Sequence, residues 1–311
     1  MGGVNSGQVG EGLPAYVAAP RQSLGSSRLE PIRRRRAAAY GVGPGIDDAL
    51  DAARRLASYG IASTVGYSAA PGETGRAAAN VQLAAFDRLS AGDLDCYVSV
   101  KLSEVGFDAG LFAEFDAAAA RSGRRLHLDA LAPETVDGVW RLLEGAPRVG
   151  GLGVSFPGRW RRSADDASRA AELGLAVRVV KGQWAYGADG DVDPGGGFLR
   201  VVDRLCGHTG GVAVATHDVT LLTEALRRLN AAGTPCEVEL LYGLPFHAPA
   251  VAARARGIPV RLYVPYGDVG ATYGIAALKR NPTAAWWLVQ DLLLGKEKTW
   301  WSVSRSQGKH P

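Results

Sequence analysis

Eight short runs rich in β-branched and other apolar residues recur along the chain, each followed by a longer stretch of different period. The runs are Ile61–Val65, Tyr97–Leu102, Leu126–Leu131, Leu152–Phe156, Val177–Val180, Val212–Ala215, Val238–Leu241 and Val260–Val264. Each has the length and composition of a buried strand. Between them lie segments rich in alanine, leucine and arginine whose apolar positions recur at helical spacing. The clearest are Arg76–Leu89, Ala132–Leu143, Asp165–Leu173, Phe198–Leu205 and Val219–Asn230, most of them followed by a glycine able to end a helix. Strand then helix, eight times over in about 250 residues, matches a (β/α)8 TIM-like barrel better than an open doubly wound sheet, which usually has fewer units. The repeats are too unevenly spaced for a solenoid. The expected class is therefore α/β. Residues 46–301 would form the barrel, residues 1–45 a partly flexible N-terminal helical or irregular extension, and residues 302–311 a flexible tail.

A chain of 311 residues, 47% hydrophobic and 21% charged, can bury a full core. Much of its net charge of +4 sits in Arg33-Arg34-Arg35-Arg36. So short a run reads as a solvated face, so no nucleic-acid partner is expected, and at most peripheral membrane association. Cys96, Cys206 and Cys236 are odd in number and far apart, which suits neither a disulfide framework nor a metal site and makes a cytoplasmic location the expectation. No secretory leader and no apolar run of spanning length is visible.

In a barrel of this kind, functional groups gather where strands end and the loops to the next helix begin. That rule selects Lys101, Asp129, Arg178, Lys181, Thr216, His217, Glu239, Tyr263 and Tyr273. Lys101 stands in an apolar setting, Val98-Ser99-Val100-Lys101-Leu102, and reads as a buried, paired cation rather than a snorkelling one. An inward-pointing Asp129 needs a partner, and Lys101 is the nearest natural one; the alternative is a cap for the helix after Pro133. His217 reads either as a ligand contact or as a satisfied core histidine, and His127 more readily as the latter. Trp286-Trp287 and Trp300-Trp301 read as core or lid packing. The stretch Arg178-Val179-Val180-Lys181-Gly182-Gln183-Trp184 places two cations on a strand that runs into a glycine turn, a combination suited to phosphate or flavin contact.

These endings together resemble those of the flavin-dependent proline dehydrogenases. They stand in the family's order as Val100-Lys101-Leu102-Ser103, Asp129-Ala130, Arg178 to Trp184, Ala215-Thr216-His217-Asp218, Leu241-Tyr242-Gly243 and Leu262-Tyr263-Val264-Pro265-Tyr266-Gly267, within about residues 45 to 290. The resemblance implies noncovalent FAD in the barrel mouth and hydride transfer from a carbon bonded to an amine nitrogen, giving an imine. It implies that Arg178 approaches the reactive edge of the flavin, where a cation stabilises the anionic reduced form. Ala130, Pro157, Lys181, Gly182, Gln183, Trp184, Thr216, His217 and Glu239 would complete the cofactor contacts. Lys101 and Asp129 would stand beside the substrate, with Tyr263 against it. The acceptor would be a quinone, oxygen or a partner flavoprotein, and no metal is implied.

Departures from the family pattern bear on the substrate. The family carries an Arg-Arg pair three and four residues after a tyrosine to grip the substrate carboxylate; here Tyr273 is followed at those positions by Ala276 and Ala277. Charge-assisted contacts of that kind are worth about 1.5–3 kcal/mol each. Arg280 stands four residues beyond Ala276 on the same helical face and offers a displaced anion site or an exposed helix-end cation. Pro157 replaces a flavin-contacting glutamine and Trp184 a tyrosine. The reading expected from the sequence is a FAD-dependent amine or amino-acid dehydrogenase whose substrate is not free proline, but a larger cyclic or N-substituted amino acid, a hydrazine-like compound or a carrier-tethered amine. A genuine proline dehydrogenase and a flavin-free binding barrel are the alternatives.

Overall fold

The computed structural model describes residues 41–129, 133–146, 150–182, 185–187 and 189–269. Within them, eight strands close into a barrel in chain order: β1 (Ala62–Ser68), β2 (Cys96–Val100), β3 (Leu126–Leu128), β4 (Leu152–Pro157), β5 (Ala176–Val180), β6 (Val212–Ala215), β7 (Cys236–Leu241) and β8 (Val260–Gly267). Every neighbouring pair is parallel, and β8 closes the ring on β1 over Ala62↔Arg261 to Ser68↔Gly267. The helices are α1 (Ile46–Ala57), ahead of β1, then α2 (Gly75–Ser90), α3 (Ala109–Ser122), α4 (Val136–Glu144), α5 (Ser163–Glu172), α6 (Pro194–Arg204), α7 (Val219–Ala231) and α8 (His247–Arg254), each between successive strands. The chain is a (β/α)8 barrel, as the alternation predicts.

Strand parity explains both the core and the site. The residues on one face of the strands are almost all apolar and buried: Val98 and Val100, Leu126 and Leu128, Val154 and Phe156, Val177 and Val179, Val212 and Val214, Val238 and Leu240, Leu262 and Val264. They belong to one hydrophobic cluster with helix residues such as Phe86, Phe115 and Phe198. Burying each is worth about 1.5–3 kcal/mol, so the layer between sheet and helices supplies much of the cohesion. Successive side chains point to opposite faces, so the alternate residues line the lumen. These include Tyr97, Ser99, His127, Ser155, Arg178, Glu239 and Tyr263, whose mutual contacts span the barrel. The lumen is polar where many such barrels are filled with branched aliphatic residues.

Helix starts follow local chemistry. Thr74, Asp108, Asp193 and Asp218 each cap a helix by accepting a backbone N–H with the side chain. Several boundaries differ from the sequence reading. Leu102–Val105 and Pro133–Thr135 form 3-10 turns, so β2 stops at Val100 and β3 at Leu128 instead of continuing to Leu102 and Leu131. Leu102, which extends the first of those runs, opens the 3-10 turn above the barrel. Strand β8 continues to Gly267, beyond the predicted Val264, because its later residues remain paired to Gly66–Ser68.

Candidate functional site

A guanidinium in the middle of the lumen organises the C-terminal end of the barrel. Arg178, 4% exposed, projects from β5 and donates from Nε and Nη2 to both oxygens of Glu239 at 2.7 and 2.8 Å. Its Nη1 donates to Asp129 Oδ1 at 2.7 Å and reaches the hydroxyls of Ser99 and Ser155 at 3.3 and 3.4 Å, while Nη2 reaches Tyr97 Oη at 3.4 Å. Acceptors therefore surround all five N–H groups. Burial alone would push this guanidinium down, but Glu239, Tyr97 and Asp129 more than offset it and hold its pKa well above the ordinary value. Removing one partner of a buried pair of this kind typically costs about 3–5 kcal/mol, because the other charge stays behind.

The carboxylates are held from further sides. Tyr97 donates its hydroxyl to Glu239 Oε2 at 2.9 Å, and burial, then the Glu239 charge, raises the phenol. Tyr263 donates to Asp129 Oδ2 at 3.0 Å, and its ring lies 5.3 Å from the Arg178 guanidinium carbon. Room for that phenol comes from β1: a Cβ on Gly66 would lie 2.1 Å from the Tyr263 oxygen. His127 Nε2 lies 2.9 Å from Ser155 Oγ, which in turn lies 3.3 Å from Asp129 Oδ1. The imidazole is held neutral by burial first and then by Arg178, Arg125 and Arg261. A neutral Nε2–H therefore donates to Ser155, and Ser155 donates to Asp129.

Lys101 does not pair with Asp129, which corrects the sequence expectation. Its buried ammonium donates to the carbonyl oxygen of Tyr67, while Asp129 turns to Arg178 and Tyr263. The side chain leaves β2 just where the chain bends into the 3-10 turn, and so reaches β1 rather than the neighbouring β3. Glu104, on that turn, is raised mainly by burial, and Lys101 offsets part of the rise. The alternative role of Asp129 as a helix cap is not found among the described residues.

Of the remaining predicted residues, those the structure describes stand at the strand ends. Lys181 carries an ammonium 45% exposed, 3.3 Å from the exposed Asp218. Gly182 has φ +90°, and a Cβ there would lie 2.8 Å from the Cβ of Pro157, so only glycine fits the turn between β5 and the end of β4. Each polar group of the Thr216-His217-Asp218 triplet already has a structural partner. Thr216 Oγ1 accepts the Asp218 N–H at 3.2 Å, and Asp218 caps α7. His217 bridges backbone with both ring nitrogens: Nδ1–H donates to Pro245 O and Nε2 accepts from Leu241 N–H, each at 3.0 Å. Burial keeps it neutral. Ala130, Gln183, Trp184, Tyr273, Ala276, Ala277 and Arg280 lie outside the described residues, as do Arg33–Arg36 and both tryptophan pairs.

Sequence reasoning missed Tyr97, Ser99 and Ser155, although they share the parity of Lys101 and Arg178 along their strands. Polar residues at alternate positions of otherwise apolar strands were the available signal. The donor chemistry suits FAD in part. An exposed ammonium at Lys181 and the close-approach backbone at Gly182 fit an anionic diphosphate, whereas Arg178 has no uncommitted donor to offer it.

Fold and site define a (β/α)8 barrel with an ionic cluster toward the C-terminal end of its strands, the end at which barrel enzymes carry their active sites. No family model matches the chain. It is 28% identical over 278 residues to a proline dehydrogenase of Deinococcus radiodurans, covering 81% of this chain and 88% of that protein. Its fold is similar to the crystal structure of proline utilization A from Bdellovibrio bacteriovorus inactivated by N-propargylglycine, with TM-score 0.68 and 16% identity over 81% of this chain. Proline utilization A from Corynebacterium freiburgense gives TM-score 0.64 and 18% identity over 85% of this chain. The chain spans about a third of those two solved chains, 33% and 34%. The 28% identical relative supports the resemblance to the proline dehydrogenase family that the strand endings carry, and the two solved structures share the fold.

Proposed function

We propose that the protein is a FAD-dependent oxidoreductase acting on the CH–NH group of a small amine or amino acid. The observation that carries this reading is the Asp129–Arg178–Glu239 cluster at the C-terminal end of a closed barrel, in a chain similar over most of its length to a proline dehydrogenase. Bound FAD would supply a two-electron acceptor for the hydride on the carbon next to nitrogen. Lys181 and Gly182 would hold it, together with Ala130, Pro157, Gln183, Trp184 and the Thr216-His217 turn. His217 would act there through the backbone it fixes. Arg178 would act as the hub that fixes Asp129 and Glu239 in place, its own charge being balanced by those two carboxylates.

Asp129 has the strongest case for orienting the amine. It is 14% exposed, whereas Glu239 is 2% exposed and fully engaged below it. Only a neutral amine gives up its hydride readily, and a carboxylate held by Arg178, Ser155 and Tyr263 can accept the amine N–H without moving. Lys101 would border the substrate, Tyr263 would pack on it, and Tyr273, Ala276, Ala277 and Arg280 would line the far side. With alanines where the family has its paired arginines, the substrate would be an amine other than free proline. Proline itself is the second reading, favoured by the likeness to a proline dehydrogenase, with Arg280 or Lys279 holding the carboxylate.

The test is anaerobic reduction of the FAD-loaded protein by a panel of amines with and without carboxylates. Bleaching by an amine, lost in Arg178→Ala, is expected. Rapid bleaching by millimolar proline selects the second reading, and a protein that takes up no FAD on reconstitution refutes both.

A further inference from the structure

The opposite, N-terminal end of the barrel contains a cavity of about 520 Å³ lined by Asp95, Cys96, Tyr97, Arg124, Arg125 and Arg261, with Gly150 and Gly151 at its edge. Tyr97 and Arg125 also border a second cavity of about 200 Å³, below the starts of β5 to β8. Three guanidiniums meet there, and they are not equivalent. Arg261 is neutralised by Glu237 at 3.0 Å and Asp95 at 2.9 Å. Arg124 is tied to the carbonyls of Leu89, Leu94 and Gly92, and its buried Nε has no partner. Arg125, half-buried, lies with its guanidinium carbon 5.1 Å from the centre of the Tyr97 ring; its charge acts on Glu237, but its guanidinium makes no hydrogen bond or ion pair among the described residues.

Two carboxylates thus face three cations, and the excess charge sits on a planar fork stacked against an aromatic ring. A half-buried guanidinium without an acceptor leaves strong donors unused. Its fork matches the paired oxygens of a carboxylate or phosphate. The walls add apolar surface from Ala119, Ala120 and Cys96, and a cavity of this volume is within the range of small-molecule sites. The cavity opens at the end of the barrel opposite the loops that follow the strands, and Tyr97, whose hydroxyl donates to Glu239, is the wall between it and the Arg178 cluster.

We propose that the N-terminal mouth is a second ligand site, taking a small metabolite through one oxyanion bound to Arg125, with its body against Ala119 and Ala120 at the α3 end. The inference is independent of the oxidoreductase reading.

Isothermal titration of the full-length protein at fixed ionic strength tests it, with glutarate and inorganic phosphate as probes. Saturable binding of one equivalent is expected. Arg125→Ala should weaken it about tenfold or more, as loss of a charge-assisted pair predicts. Arg125→Lys, which keeps charge but not the fork, should fall between, and serves alone if the alanine variant does not fold. Tighter binding of glutarate identifies an organic acid, and tighter binding of phosphate a phosphorylated metabolite. The proposal is overturned if neither probe binds saturably, if both arginine variants bind as the wild type does, or if binding is lost in Lys181→Ala instead.

Discussion

At the scale of single residues, the candidate site depends as much on what is missing as on what is charged. Tyr263 reaches Asp129 only because Gly66 leaves its place empty. Gly66→Ala should displace the phenol, free one carboxylate oxygen of Asp129 and cost about 1–3 kcal/mol through overpacking. Chemical denaturation checks the stability, and a Tyr263→Phe, Gly66→Ala double variant should show non-additivity, since both act on one contact. This dependence could not be read from the sequence, where Gly66 is one of 41 glycines and directly follows the predicted run Ile61–Val65. Lys101 and Asp129 illustrate the same limit. Both were identifiable as inward-facing, but the choice among several partners around a ring depends on where each strand stops, and the turn at Leu102 directs Lys101 to the Tyr67 carbonyl.

At the scale of elements, the strands were legible because each has an apolar face against the helices, and that face determines composition regardless of partner. The ends were less legible: Leu102 continues the apolar run of β2 but opens the 3-10 turn Leu102–Val105. The loops after β4 and β5 form a joined unit. Gly158 and Arg159 donate to the carbonyls of Val180 and Lys181, Val192 donates to Arg159 O, and Arg159 pairs with Asp191 at 3.1 Å. The start of α6 seats on this unit so tightly that a Cβ at Gly197 would lie 1.9 Å from the Gly158 carbonyl oxygen. Gly197→Ala should push α6 outward despite alanine's better helix propensity, which is worth only about 1 kcal/mol. A lowered melting temperature, with faster amide exchange in 158–160 and 194–200 than in β1 and β8, is the expected result; an unchanged or raised melting temperature would refute the seating.

At the scale of the whole molecule, the polar lumen should make stability depend on pH. His127 is neutral in the fold and titrates well below 6.5, whereas in the unfolded chain it titrates near 6.5. Below that value the unfolded chain binds a proton that the folded chain excludes, so the contribution is complete above 6.5 and is lost as pH falls, by about 1.4 kcal/mol per pH unit. His217 acts in the same direction. The melting temperature should therefore fall between about pH 7.5 and about pH 5.5 by more in the wild type than in His127→Gln, a comparison in which the other titrating groups cancel. Equal slopes would show that the imidazole is not held neutral.

The two-sidedness of the strands has a consequence for how such a protein diversifies. Its adhesive seam and its reactive interior share a backbone but no side chains, so substitutions that retune the interior leave the seam untouched. The interior restricts itself differently, because an arginine stripped of its carboxylate, or the reverse, is too costly to persist. Drift in a lumen like this one is expected to proceed by matched exchanges, a cation and its counter-ion changing together, while the hydrocarbon sleeve keeps the ring closed.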